Sequence, residues 1–172
     1  MSCIVPFPVL GCLTLPTAQD TCALAEYLAP LLAAGDVILL DGPIGAGKSH
    51  FCRCLIRARL LAEDRLEDIP SPTFTLVQTY TLDDVEIWHS DLFRLTSEDE
   101  ATELGLQEAF DQAICLVEWP DRLGRSVPAQ AMLITLSPSA HSDARQAVFY
   151  ASDPRWAGRL DGFSMRIETA CD

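Results

Sequence analysis

Lysine is almost missing from this chain. Twelve side chains are cationic, and only Lys48 among them is not arginine. There is no run of basic residues, and the net charge is −13. The electrostatic footprint of a free-standing nucleic-acid binder is therefore lacking. The acidity reads as solubility. No apolar run approaches the ~20 residues of a membrane span. The start, Met1-Ser2-Cys3-Ile4-Val5-Pro6, lacks the basic segment of a signal peptide. No membrane partner is expected, and the cytoplasm is the expected compartment. No two of the seven cysteines have C-x-x-C spacing, and their number is odd. They are expected to be small buried hydrophobes in a reducing compartment, with neither a disulfide framework nor a metal site.

What remains is an ordinary globular composition, 49% hydrophobic and 22% charged over 172 residues. That length suits a single domain, 1–172, with a substantial core. No repeat or low-complexity segment interrupts it.

The chain is organised around Gly42-Pro43-Ile44-Gly45-Ala46-Gly47-Lys48-Ser49, which fits the phosphate-loop pattern G-x-x-x-x-G-K-[ST]. Glycines let such a loop turn its N–H groups inward onto phosphate oxygens. The lysine reaches the outer phosphates, and the serine hydroxyl can ligate Mg²⁺. The flanks are those the pattern requires. Asp36–Asp41 is a short apolar, β-branched run that reads as a buried strand. After the loop, Phe51, Leu55, Ile56, Ala58 and Leu60 recur at helical spacing up to about Ala62. The positive end of that helix would face bound phosphates. Lys48 adds weight, because it places a compact point charge where the rest of the chain uses arginine.

Around this centre the pattern predicts further elements. Residues 9–15 read as a strand. Thr17 opens a helix with Asp20 three residues on, and Pro30 ends it early. Residues 63–68 read as a surface turn. Over Ile69–Tyr80 two prolines hold the entry extended and the residues beyond, 73–80, read as a strand, with Ser71, Thr73 and Thr75 at every second position on one face. A turn at Asp83-Asp84 leads into a strand over 85–93, with His89 and Asp91 alternating onto one face. Buried, such a carboxylate needs a cation or hydrogen-bond donors; His89 reads equally as a hydrogen-bonded core histidine. Ser97 caps a helix to about Phe110, with Glu100 completing a capping box. Ala113–Pro120 is an apolar strand ending in Glu118, the shape of a strand that delivers an acid beside a phosphate loop to hold Mg²⁺. Strands at 131–136 and 145–150 follow. The tail bearing Trp156, Leu160, Phe163 and Ile167 packs on the domain or folds on a partner.

Five blocks, GPIGAGKS, SPTFTLVQTY, WHSDLFRL, TELGLQEAF and ICLVEWPDRLG, fall in the order and spacing of the TsaE family, and the resemblance covers roughly residues 10–136. TsaE proteins are small P-loop ATPases required for threonylcarbamoyladenosine (t6A) synthesis in bacterial tRNA. They act with TsaD, which transfers the threonylcarbamoyl group, and with its scaffold partner TsaB. The resemblance implies that Gly42, Pro43, Ile44, Gly45, Ala46, Gly47, Lys48 and Ser49 bind ATP and that Ser49 and Glu118 hold Mg²⁺. It implies that Asp91 is the catalytic carboxylate, with Lys48 and Glu118 also in the catalytic set. It places Trp119 beside the nucleotide and aligns Thr21 with a nucleotide-side threonine. Ser71 and Thr73 are candidates for sensing the γ-phosphate. Two residues depart from the usual family sequence: Pro43 stands where Asp is common, and His50 where Thr is common.

The expected fold is a three-layer α/β, P-loop NTPase-like arrangement of helices flanking a mixed sheet. The expected function is an ATP-binding and hydrolysing component of the t6A machinery, acting on a TsaB–TsaD complex and meeting tRNA only through it. Two other classes share the loop. One is a small-metabolite kinase, although no arginine-rich lid is visible. The other is a non-catalytic, nucleotide-gated binding module.

Overall fold

The computed structural model describes residues 7–139 and 143–163. Its centre is a seven-stranded mixed sheet. The strands are β1 (Val9–Leu15), β2 (Val37–Asp41), β3 (Val77–Thr81), β4 (Glu86–Asp91), β5 (Ile114–Glu118), β6 (Met132–Pro138) and β7 (Arg145–Ala151). They lie in the order β1-β7-β6-β2-β5-β4-β3. The inner four, β6, β2, β5 and β4, are parallel. The expected hairpin β3–β4 adds an antiparallel edge. At the other edge β7 returns antiparallel to β6, and β1 pairs with β7.

Strand β2 shows why the sheet is buried on both faces. Ile38 and Leu40 pack into one apolar cluster, Val37 and Leu39 into another. The first cluster is covered by α1 (Ala18–Leu28), α2 (Lys48–Leu61) and α5 (Arg155–Asp161); the second by α3 (Glu98–Glu103) and α4 (Leu106–Gln112). A continuous apolar run in a parallel strand is what two helical layers require. The result is the three-layer α/β fold.

Local chemistry accounts for several boundaries. Thr17 caps α1 with a reciprocal capping box to Asp20. Pro30 confines the end of that helix to a single tight turn. Two expectations are corrected. The strand expected over 73–80 starts only at Val77. Before it the chain turns, with the Leu76 N–H donating to the Pro72 carbonyl at 2.7 Å and Leu76 at φ 67°. Thr73 and Thr75 are therefore turn residues and Ser71 precedes the turn, so the three do not form one face of a strand. The helix expected from Ser97 to Phe110 is broken at Gly105, whose φ of 77° is left-handed. Its capping box is also incomplete. Ser97 accepts from the Glu100 N–H, but the Glu100 carboxylate accepts from Thr96 instead.

The cysteine expectation is also corrected. Cys52 and Cys115 are buried and free, but Cys22 of α1 is bonded to Cys54 of α2. Their Cα atoms are 5.3 Å apart, inside the range of about 4.4–6.8 Å that a disulfide spans. As far as Phe163 the tail packs on the domain. Trp156 and Leu160 of α5 are buried in the main core, and Phe163 packs at its edge. Ile167 lies outside the described residues. Among the described residues no helix is long and apolar enough to cross a membrane.

Candidate functional site

The parallel register assembles the site. Strand β2 runs directly into the Gly42–Ser49 loop, and Leu40 stands opposite Glu118 on β5. Glu118 in turn stands opposite Asp91 on β4. The two acids and the loop thus meet at the C-terminal edge of the parallel strands, where α/β sheets bind ligands.

The loop is shaped for backbone contacts. A Cβ on Gly42, whose φ is 144°, would run into the Leu136 carbonyl oxygen, so only glycine fits there. Gly45 and Gly47 have φ of 81° and 108°, with nothing within 4 Å of where a Cβ would stand. Gly47 is the N-cap of α2 and offers no side-chain cap. The first-turn N–H groups of such a helix lack intrahelical acceptors, and they open onto a cradle suited to an anion. Ala46 is buried beneath the loop, whereas Ile44 is 79% exposed at its tip.

Lys48 is nearly buried, and its Nζ donates to the carbonyls of Gly42 (2.6 Å) and Pro43 (3.0 Å). It lies 4.0 Å from the centre of the Trp119 ring, a cation–π contact. Burial lowers its pKa from the ordinary lysine value, while Glu118, Asp41 and Asp91 pull in the opposite direction. Trp119 holds its place at a backbone cost, since φ 58° and ψ 55° are left-handed for a bulky residue. Its ring packs on Phe93 at 4.8 Å.

Behind the lysine runs a buried polar chain. Ser49 Oγ donates to Glu118 Oε2 at 2.8 Å. The other oxygen, Oε1, lies 2.8 Å from His89 Nε2. With two donors, the Glu118 carboxylate is fixed in one orientation. Asp91 is held separately, accepting from Thr73 Oγ1 (3.1 Å) and from the Phe93 N–H (3.0 Å). Ser71 Oγ in turn lies 2.9 Å from Thr73 Oγ1. Cys52 lies close to His89 and Glu118, and burial pushes its thiol well up, which keeps it neutral.

Gly45, Gly47, Lys48, Ser49, Thr73, Asp91, Glu118 and Trp119 are among the residues that line one cavity of about 390 Å³, with His89 and Cys52 buried behind Glu118. Ser71 joins it only through Thr73. Thr21 does not line it. It is buried on the far side of the loop, in a hollow of about 460 Å³ shared with Gly45, Ala46, Gly47 and His50. Two contributions were not assigned from sequence. His89 is the partner of Glu118, and Phe93 braces Trp119. The alternation of His89 with Asp91 on β4 was the available signal for the first. Apolar packing gave none for the second.

A family profile described as "Threonylcarbamoyl adenosine biosynthesis protein TsaE" matches residues 15–147. The Bacillus subtilis tRNA threonylcarbamoyladenosine biosynthesis protein TsaE is 34% identical over 139 residues, covering 80% of this chain and 84% of the relative. The proteins of that name from Rickettsia conorii and Rickettsia felis are 43% and 42% identical, each over 63% of this chain. The matched part spans only 60% and 62% of those two relatives. In three dimensions the chain is similar to the crystal structure of Bacillus subtilis YdiB. The TM-score is 0.72 at 24% identity, covering 92% of this chain and 95% of that one. This likeness bears on the fold alone.

Proposed function

The chain belongs to the TsaE family, and we propose that it is the ATP-binding and ATP-hydrolysing component of a bacterial t6A machinery, acting on a TsaB–TsaD complex. One observation carries the reading. Lys48, the Ser49–Glu118–His89 chain and the separately held Asp91 all converge on one cavity beside the phosphate loop.

The donor set fits Mg²⁺·ATP. A hydroxyl and a carboxylate oxygen at 2.8 Å are hard oxygen ligands, and the loop amides at the start of α2 adjoin them. Ser49 and Glu118 would hold the ion, which supplies charge neutralisation when bound. The overall reaction is ATP plus water giving ADP and phosphate. Such hydrolysis needs positioning and charge more than covalent chemistry. Lys48 exchanges its two loop carbonyls for phosphate oxygens. Trp119 covers the lysine and excludes water from that side. Asp91 accepts a hydrogen bond from the attacking water and orients it. Thr73, bonded to Asp91, couples the turn at 72–76 to the state of that carboxylate. The cycle resets the TsaB–TsaD assembly, and tRNA is met through that assembly.

The test is ATP hydrolysis by the full chain, alone and with TsaB–TsaD. Turnover that rises with the partners supports the proposal. Turnover indifferent to them but raised by a hydroxylated metabolite would favour a kinase. Nucleotide binding with no turnover in any mixture would leave a gated binding module.

His89 is expected to act through Glu118. His89→Ala should raise the Mg²⁺ concentration needed for half-maximal turnover about 10- to 100-fold, the usual cost of losing a group that orients a metal ligand. His89→Gln retains a donor and should recover most of it. Equal Mg²⁺ requirements in the wild type and His89→Ala would remove His89 from that role.

A further inference from the structure

One cluster at the edge of the core, beside the phosphate loop, carries polar groups that neither apolar packing nor the proposed hydrolysis uses. His50 and Cys54 are four residues apart on α2, so they stack on one face a turn apart. Cys22 and Glu26 have the same spacing on α1. The two faces meet. Cys22 is bonded to Cys54, Glu26 Oε1 lies 3.4 Å from the Cys22 sulfur, and His50 Nε2 lies 3.8 Å from the Cys54 sulfur. The donor atoms of Cys22, His50 and Cys54 are all within 4.8 Å of one another. A bonded pair of sulfurs has no proton to give, so the Glu26 carboxylate gains nothing from the disulfide and His50 has in it only a weak, long acceptor.

We propose that Cys22, Cys54 and His50 form a thiolate–imidazole site for a zinc-class divalent metal ion, open only when the Cys22–Cys54 bond is reduced, with Glu26 as the fourth ligand. Helical folds build metal centres from side chains on facing helices, and a four-residue step puts each pair here on one face. Two sulfurs, one imidazole and one carboxylate suit the tetrahedral preference of zinc. Softness favours zinc at the sulfurs and leaves magnesium to the oxygens of Ser49 and Glu118.

The chemistry balances with a dithiol reductant. The dithiol is oxidised to its own disulfide and delivers two electrons and two protons to the Cys22–Cys54 bond, which becomes two thiols. The metal ion then replaces the two S–H protons, which leave to solvent. His50 Nε2 donates to the Ala18 carbonyl at 2.8 Å; to ligate the metal the neutral ring passes that proton through solvent to Nδ1 and turns the freed Nε2 lone pair to the ion. The site is independent of the proposed ATPase reading. It adjoins the nucleotide site all the same, because His50 follows Ser49 directly and lines the cavities on both sides of the loop.

Cobalt(II) is the probe, because thiolate ligation gives it a charge-transfer absorption that oxygen ligands do not. The full chain is reduced with a phosphine under anaerobic conditions and Co²⁺ is added in the presence of excess Mg²⁺. The wild type is expected to show absorption from two thiolates, and the same protein reoxidised with diamide is expected to lose it. Cys22→Ser and Cys54→Ser should each remove it. Cys52→Ser should retain it, which separates the site from the buried cysteine beside His89 and Glu118. His50→Ala should weaken binding about tenfold or more. Reduced wild type without the absorption, or absorption surviving undiminished in both Cys22→Ser and Cys54→Ser, overturns the proposal. The comparison of reduced with reoxidised wild type needs no variant to fold.

Discussion

Lys48→Ala is expected to lower ATP turnover, measured with the partner proteins present, about a hundredfold or more. Removing one preorganised charge contact of this kind costs about 3 kcal/mol in the transition state, and each ~1.4 kcal/mol is a factor of ten in rate. Lys48 is well placed to be such a contact. Its ammonium is desolvated, and the loop carbonyls that hold it belong to the cradle itself. The Trp119 ring closes the remaining side at 4.0 Å, so little reorganisation is needed when phosphates replace the carbonyls. Lys48→Arg should fail almost as badly. The residue is 5% exposed, and a planar guanidinium with fixed donors cannot occupy the space of a compact ammonium. Circular dichroism should show both variants folded, because the exchange touches no part of the sheet. Turnover within a few-fold of wild type in Lys48→Ala would detach the loop from the chemistry.

The same residues show how far the sequence carries the argument. A phosphate loop is a local object, with its strand, glycines, lysine and helix inside one stretch, so its geometry follows from spacing. Glu118 was legible for a related reason: a carboxylate that ends a run of apolar β residues must lie at a strand end, and parallel strands bring their ends together. Asp91 was read inside a strand over 85–93, and only the structure ends β4 at it. The turn at 72–76 was not legible. Threonine and valine favour strands locally, but the Pro72 carbonyl captures the Leu76 N–H, and Thr73 is drawn to Asp91. That pull comes from a residue eighteen positions on. Gly105 misled in the opposite direction, because helical apolar spacing continues across it while its backbone does not. The contact between Cys22 and Cys54, thirty-two positions apart, depends on how α1 and α2 pack. No local cysteine spacing encodes it, although the four-residue step from His50 to Cys54 was visible. The antiparallel edge of β7 and β1 joins the two ends of the described chain and is likewise a property of the whole topology.

Trp156→Ala is expected to destabilise the protein by about 3–5 kcal/mol, the usual cost of truncating a large core aromatic. Helix α5 lies beyond the span matched by the family profile, yet its tryptophan is fully buried against the main cluster. Its indole N–H donates to the Gln130 carbonyl at 2.8 Å, tying the helix to the start of β6. The Arg159 guanidinium lies over the ring at 4.9 Å. Arg155 and Arg159 also pair with Asp36, at 3.0 and 2.9 Å. Asp36 is 1% exposed and precedes the strand that feeds the phosphate loop. Losing the helix would leave that carboxylate without its cations, which adds to the cost. Trp156→Phe retains most of the volume and forfeits the hydrogen bond, so a loss of about 1 kcal/mol is expected. Urea unfolding with an unchanged slope reads both values as shifts in midpoint. A Trp156→Ala loss below about 1 kcal/mol would place α5 outside the cooperative unit, as surface substitutions are. A large loss in a single transition would make the C-terminal helix part of the support on which the phosphate loop stands.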